Sequence, residues 1–111
     1  MTHSPKIADC LKVVEEAFGV TRGDLLSARR GREVARPRQV AYWLAKKVTL
    51  HSLPEIGRAI GGRDHTTIMA GVKRVEIIRA MDAEFSSLTD SLLSRLTGEP
   101  DHAGTSEGMT P

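Results

Sequence analysis

The sequence predicts a compact, all-α domain, and three observations point to this class. The chain has 111 residues, which is enough for one small domain with a single core. Apolar residues recur at every third or fourth position in several segments, and no segment shows the alternation typical of a strand. Residues that cap or stop helices stand at the ends of these segments. We therefore expect five or six helices.

Two helices are predicted near the N-terminus. The first covers residues 4–18, with Ser4 as its cap and Gly19 just beyond its end. Its inward positions are Ile7, Leu11, Val14 and Phe18. The second is shorter and begins with Thr21 as its cap, supported by Asp24 three residues later.

An exposed loop and a third helix come next. Residues 28–34 hold three arginines and a glycine without an apolar period, which is typical of a loop. The helix should begin at Arg36 and Pro37, because proline suits a first helical turn, and should end near Val48. Its inward positions are Val40, Ala41, Leu44 and Val48, and the residues expected outside are Arg38, Lys46 and Lys47.

A short helix, a glycine-containing turn and a longer helix follow. Ser52 and Glu55 form a capping box for a helix of about two turns, which two consecutive glycines end. Asp64 is placed to cap the longer helix, which should reach about Met81. This arrangement is a helix-turn-helix pattern.

The first residues of the longer helix predict contact with DNA. In a helix-turn-helix unit the second helix enters the major groove, and its N-terminal residues meet base edges. His65, Thr66 and Thr67 can form hydrogen bonds with bases, and Ile68 takes the inward position. The residues alone leave a second interpretation open, in which Asp64 and Thr67 only cap the helix.

A last helix is predicted over residues 83–96, followed by a tail. Its apolar positions are Phe85, Leu88, Leu92 and Leu96. They complete the core of the monomer or, alternatively, contact a protein partner or a second copy. Residues 98–111 are mostly Gly, Pro, Ser, Thr and acidic residues, so we expect a disordered acidic tail beyond a domain of residues 1–97.

Composition and charge exclude several classes of protein. The sequence holds neither a membrane-spanning apolar stretch nor an apolar N-terminal signal segment, so we expect a cytoplasmic protein. Residues 22–79 hold thirteen Lys and Arg against five Asp and Glu, a net charge of +8. Residues 80–111 hold one against six, a net charge of −5. A basic body with an acidic end favours a polyanionic partner.

No enzymatic activity, metal or cofactor is predicted. The four histidines do not stand at metal-ligand spacing. Asp64 and His65 are adjacent on a helix and point in different directions, so they cannot form a catalytic pair. The sequence also lacks the G-x-x-x-x-G-K-[ST] loop that binds phosphates, so no nucleotide is expected.

Several of these segments together resemble a known family. They are VARPRQ (residues 34–39), SLPEIG (residues 52–57) and GGRDHTT (residues 61–67). In this order and spacing they are similar to the C-terminal DNA-binding domain (domain IV) of the bacterial chromosomal replication initiator DnaA. The resemblance implies a TrpR-like, all-helical fold that binds double-stranded DNA at an asymmetric DnaA box of the TTATCCACA type.

The resemblance also implies a role for individual residues. The matches to the major-groove readers of the family are Asp64, His65, Thr66 and Thr67. The matches to its phosphate-backbone positions are Arg38, Gln39, Lys46, Ser52 and Leu53. Arg30 matches the arginine that enters the minor groove, and an arginine on a loop suits a narrow, A/T-rich minor groove.

Two departures from the family pattern bear on function. The residue six after Asp64 is often a polar residue that contacts a base, but here it is Ala70, so discrimination at one base pair is relaxed or moved to another base. The missing phosphate-binding loop implies that the ATPase part of DnaA is absent. We expect a stand-alone domain that modulates replication initiation or transcription by occupying DnaA-box-like sites in the nucleoid. The alternative is a protein–protein adaptor that acts through residues 83–96 and the tail.

Overall fold

The computed structural model describes residues 5–27 and 32–98. Within these ranges the helices are α1 (Ile7–Phe18), α2 (Arg22–Leu26), α3 (Arg32–Val48), α4 (Leu53–Ala59), α5 (His65–Met81) and α6 (Ala83–Thr97). None of the described residues forms a strand, so the predicted all-α class is confirmed. None of the described helices is both long enough and apolar enough to span a membrane. Of the expected tail, residues 98–111, Gly98 is the C-cap of α6 and the residues from 99 onward lie outside the described residues.

Helix α3 lies at the centre of the core, where it packs against the other five helices. Tyr42 and Trp43 are both buried in this core. The indole Nε1 of Trp43 donates to the Glu76 carboxylate at 2.8 Å, and the Arg79 guanidinium lies 4.7 Å from the centre of the indole ring. The first contact gives the buried indole N–H a hydrogen-bond acceptor, and together the two contacts join α3 to the C-terminal half of α5.

Helix α6 closes the core against α5, α1 and α3. Leu92 and Leu96 are buried, whereas Leu88 is 36% exposed. Arg79 of α5 donates to the hydroxyl of Thr89 on α6 at 2.6 Å. Of the two alternatives for α6, completion of the monomer core therefore accounts for most of its apolar face.

Helix α3 begins at Arg32, four residues earlier than predicted. Pro37 therefore lies inside the helix, and the prediction that it occupies the first turn is wrong. Pro37 removes the backbone hydrogen bond to the carbonyl of Glu33 and its ring crowds that carbonyl, but its fixed φ is compatible with a helix. Val34 lies in the added turn and is buried, whereas the sequence placed it in an exposed loop.

Helix α1 begins at Ile7, so the prediction of a start at Ser4 is also corrected. Lys6 is the N-cap, and its backbone N–H donates to the Asp9 carboxylate at 2.8 Å. An acidic residue three positions after the cap thus determines where the helix starts. The other predicted N-caps are confirmed at Thr21, Ser52 and Asp64.

Candidate nucleic-acid interface

The turn between α4 and α5 depends on glycines. Gly61 and Gly62 have φ angles of +86° and +70°, which favour glycine. Gly57 lets the turn fold back onto α4, where the Arg63 N–H donates to the Gly57 carbonyl at 2.8 Å. A Cβ at Gly57 would lie 2.0 Å from the carbonyl oxygen of Arg63. The predicted helix-turn-helix is therefore held together by direct backbone contact.

Asp64 caps α5 and organises its first turn. Its Oδ1 accepts from the Thr66 hydroxyl at 2.6 Å and from the Thr67 backbone N–H at 2.9 Å. These two hydrogen bonds hold the pKa of Asp64 below its usual value, so the carboxylate is charged at neutral pH. The capping role proposed for Asp64 is therefore present, and it uses one of the two carboxylate oxygens.

The residues predicted to meet base edges are displayed on the surface. Asp64, His65, Thr66 and Thr67 are all exposed. Ile68 is fully buried, which confirms the predicted division between the inner and outer faces at the start of α5. Ala70 is exposed as well, so it belongs to the same displayed part of the helix.

A groove of about 430 Å³ lies between α3 and α5. Among the described residues, its lining holds three arginines and no carboxylate: Ala35, Arg38, Gln39, Tyr42, Arg63, Thr67, Ala70, Gly71 and Arg74. The two helices approach closely at Gly71, where a Cβ would lie 2.7 Å from the Tyr42 ring. The positive charge of this groove favours an anionic ligand beside Thr67.

Arg38 lies inside the domain, which corrects the prediction that it faces outward. It is 7% exposed and donates to the backbone carbonyls of Asp24 (2.9 Å), Leu25 (3.3 Å) and Ser27 (2.8 Å). Arg38 and Lys46 are eight residues apart, which at about 100° per residue separates them by roughly 80° around the helix. They therefore do not share a face. Arg38 instead satisfies carbonyls at the end of α2 and secures that end to α3.

Arg63 contacts the same backbone carbonyl as Arg38, that of Ser27. Its guanidinium donates to the Ser27 carbonyl, and its Nε is buried without a hydrogen-bond partner among the described residues. Arg38 and Arg63 thus meet at Ser27. No local sequence pattern singles out Arg63, because the contact joins residues that are far apart in the chain. Arg30, the expected minor-groove residue, lies outside the described residues.

The remaining residues that were predicted to contact the DNA backbone lie in two separate parts of the domain. Gln39 is half-buried in the groove, on the wall opposite Thr67, and accepts a hydrogen bond from Arg36. Lys46, Ser52 and Leu53 lie where α3 leads into α4. Of these, Lys46 is exposed in the last turn of α3, Ser52 is the exposed N-cap of α4, and Leu53 packs partly against the core.

In the described part of the chain, neither the cysteine nor the potential metal ligands form a second functional site. No group of three or more His, Cys, Asp or Glu residues is arranged there to hold a metal ion. Cys10 is buried in α1, and burial raises its pKa to about 12. The thiol is therefore protonated at neutral pH, and Cys10 packs as a small apolar residue.

The sequence profile of the bacterial DnaA protein helix-turn-helix matches residues 7–75, which run from α1 into α5. This match covers more than half of the chain. The chain belongs to this family. Membership confirms the resemblance to DnaA domain IV, and a helix-turn-helix is a unit that binds DNA.

Relatives of this family are similar to most of the chain. The chromosomal replication initiator protein DnaA of Caulobacter vibrioides (strain NA1000 / CB15N) is 51% identical over 92 residues, which are 83% of this chain and 19% of that protein. The DnaA of Rhodopseudomonas palustris (strain BisA53) is 52% identical over 91 residues, which are 82% of this chain and 19% of that protein. The chain thus spans about a fifth of the length of the curated relatives it matches.

Proposed function

We propose that this protein binds double-stranded DNA sequence-specifically, at sites of the DnaA-box type with the sequence TTATCCACA. One observation carries the proposal: Asp64, His65, Thr66 and Thr67 are exposed at the start of the second helix of a helix-turn-helix. Residues at these positions meet base edges in the major groove when such a unit binds DNA. The cationic groove beside Thr67 supports the proposal, because DNA is a polyanion.

Base readout is assigned to the start of α5 and to Arg30. His65, Thr66 and Thr67 offer hydrogen-bonding groups and methyl groups to base edges. The Oδ1 of Asp64 is engaged in the cap, but a carboxylate can accept through its other oxygen, for example from the amino group of cytosine. Arg30 would enter the neighbouring minor groove, where narrow A/T-rich sequence attracts arginine.

Contacts with the phosphate backbone are assigned to the two flanks of the unit. Gln39 lies on one flank, in the groove, and Lys46 lies on the other with the backbone at Ser52 and Leu53. These contacts supply register and salt-dependent affinity without sequence preference. Arg38, which is buried, supports this surface by holding the end of α2 in place.

Binding of this kind acts by occupancy. A domain bound at a DnaA box competes with a DnaA initiator for that box or modulates the assembly of the initiator there. It can also regulate the transcription of genes near such a box. The activity needs no nucleotide hydrolysis, since affinity and readout come from contacts with DNA alone. Such a protein would work in the cytoplasm, at the nucleoid.

The test is fluorescence anisotropy of a DnaA-box duplex and a scrambled duplex, measured across a salt series with the full chain. We expect tighter binding to the box, with affinity that falls as salt rises. Equal affinity for both duplexes would contradict sequence specificity. No binding to either duplex would contradict DNA binding itself and would favour a protein–protein adaptor.

A further inference from the structure

We propose that Arg74 is a further base reader, specific for guanine, and that Ala70 provides the space through which it reaches the base. The inference rests on the proposed function and adds a specificity-determining residue to the same site. It starts from the groove between α3 and α5, which both residues line.

Thr67, Ala70 and Arg74 form one line along the displayed side of α5. They are three and four residues apart, which is the spacing of neighbours on a helix surface. All three are exposed and all three line the groove. Gly71 fixes the rotation of this line, because its Cα lies so close to the Tyr42 ring that a Cβ would approach to 2.7 Å. Arg74 is therefore held on the same side of the helix as Thr67.

The three arginines of the groove differ in their partners. Arg38 is engaged by several carbonyls at the end of α2, and Arg63 donates to the carbonyl of Ser27. Arg74 is exposed and makes no hydrogen bond or ion pair with any residue in the ranges 5–27 and 32–98. Its guanidinium is therefore available to a ligand, whereas those of Arg38 and Arg63 are largely committed to the fold.

Helix geometry directs the Arg74 side chain towards the start of α5, where the proposed base readers lie. Side chains on a helix lean towards its N-terminus, so a long side chain covers the turn before its own Cα. For Arg74 that turn carries Ala70, whose methyl group leaves the space open. The guanidinium can then lie one turn along from Thr67, which belongs to the proposed reading surface.

The chemistry of arginine selects the base. The planar guanidinium donates two parallel hydrogen bonds, and in the major groove guanine alone presents two acceptors, O6 and N7, at the matching spacing. The box sequence contains G·C pairs in its TCCAC part, so it offers guanines on the complementary strand. Arg74 would therefore recognise a G·C pair that the residues at the start of α5 do not read.

The test is a panel of duplexes in which each base pair of the box is replaced in turn, titrated with the wild-type protein, Arg74→Ala and Lys73→Ala. Lys73 is the matched control, because it is an exposed cation on the same helix that does not line the groove. We expect Arg74→Ala to weaken binding to the intact box about 5- to 150-fold, and to have little effect once one particular G·C pair has been replaced. Lys73→Ala should weaken binding to all duplexes by the same factor.

Equal losses on all duplexes for Arg74→Ala would show a phosphate contact and overturn the inference, while the proposed function would stand. No loss on any duplex would also overturn it. A wild-type protein with no preference for the box would overturn the proposed function and this inference together, so the two failures are distinguishable.

A second variant, Ala70→Leu, tests the space that the inference requires. Leucine favours helix and position 70 is exposed, so the fold should be retained, which circular dichroism can verify. A bulky apolar side chain there should block Arg74 and remove discrimination at the same G·C pair. Arg74→Ala combined with Ala70→Leu should then be no worse than Arg74→Ala alone. Independent, additive losses would contradict the proposed use of this space.

Discussion

The two halves of α5 differ in what their side chains contact. From His65 to Arg74 the outward side chains face solvent or the cationic groove, and the Asp64 cap organises the first turn. From Val75 to Met81 one side of the helix packs against neighbouring helices, while Ile77 and Met81 are exposed on the other side. Arg79 illustrates the second half, since it stacks on Trp43 and donates to the Asp90 carboxylate at 2.8 Å.

This difference shows how one helix serves both stability and binding. A helix of 17 residues is about 25 Å long, so its two ends lie in different surroundings. The C-terminal half is held by α3 and α6, and the N-terminal half is held by backbone contact with α4 and by its cap. We call residues 75–81 the bound half, because they are held by neighbouring helices, and residues 65–74 the displayed half. Changes at the bound half should therefore alter stability, and changes at the displayed half should alter DNA recognition.

The largest effect is expected where the displayed half is attached to α4. Gly57→Ala should lower the free energy of unfolding by about 3 kcal/mol, because the new Cβ would collide with the Arg63 carbonyl oxygen. Urea denaturation followed by circular dichroism measures this. The matched control is Gly23→Ala in α2, where a Cβ would meet Thr21 Oγ1 at an ordinary 3.6 Å and should not destabilise the protein. Equal stability of the two variants would contradict the packing described at the turn.

Arg79→Met tests the bound half of α5. We expect a loss of about 1–3 kcal/mol in the free energy of unfolding, because the variant removes the contact with Trp43 and the hydrogen bonds to α6. The ratio of affinities for the box and a scrambled duplex, measured by anisotropy, should stay unchanged. A changed ratio at unchanged stability would mean that the two halves are not separate in function.

His65→Ala tests the displayed half, and the opposite pattern is expected. His65 is exposed, so the free energy of unfolding should change by no more than about 0.5 kcal/mol. Binding to the box should weaken by about 1–3 kcal/mol, with a much smaller loss on scrambled DNA. Equal losses on the two duplexes would contradict the assignment of His65 as a base reader.

Lys46→Ala separates phosphate contact from base readout. Lys46 is exposed at the end of α3, and we expect its removal to weaken binding to the box and to scrambled DNA almost equally. The slope of log affinity against log salt should fall in magnitude by about one, because one fewer counterion is released. A selective loss on the box, with an unchanged salt slope, would assign Lys46 to readout instead.

The smallest effect concerns the cap of α5 and depends on pH. The hydrogen bonds from Thr66 and Thr67 lower the pKa of Asp64, so its charge stabilises the fold above the usual pKa of 3.8, and this contribution is lost as the pH falls through the lower value of the folded state. Asp64→Asn keeps a capping oxygen but does not titrate. Wild type should therefore lose more stability than Asp64→Asn between pH 7 and pH 3 in urea denaturation. Parallel losses would show that the cap does not depend on the charge.

The local sequence was sufficient to predict most helices and the part of the fold that displays the site. Thr21, Ser52 and Asp64 were recognisable as caps because a cap joins residues only two or three positions apart. Ile68 was recognisable as the inward residue because helical periodicity repeats over each turn. These interactions involve neighbours in the chain, so the order of residues alone determines them.

Only the tertiary structure decided which basic residues are free to meet a ligand. Arg38, Arg63 and Arg74 look alike in the sequence, yet the first two donate to carbonyls at the end of α2 and the third remains exposed. The early start of α3 likewise appears only in the folded domain, where Val34 is buried. The contacts of a charged or apolar side chain depend on the groups that the fold places beside it, and those groups come from distant parts of the chain.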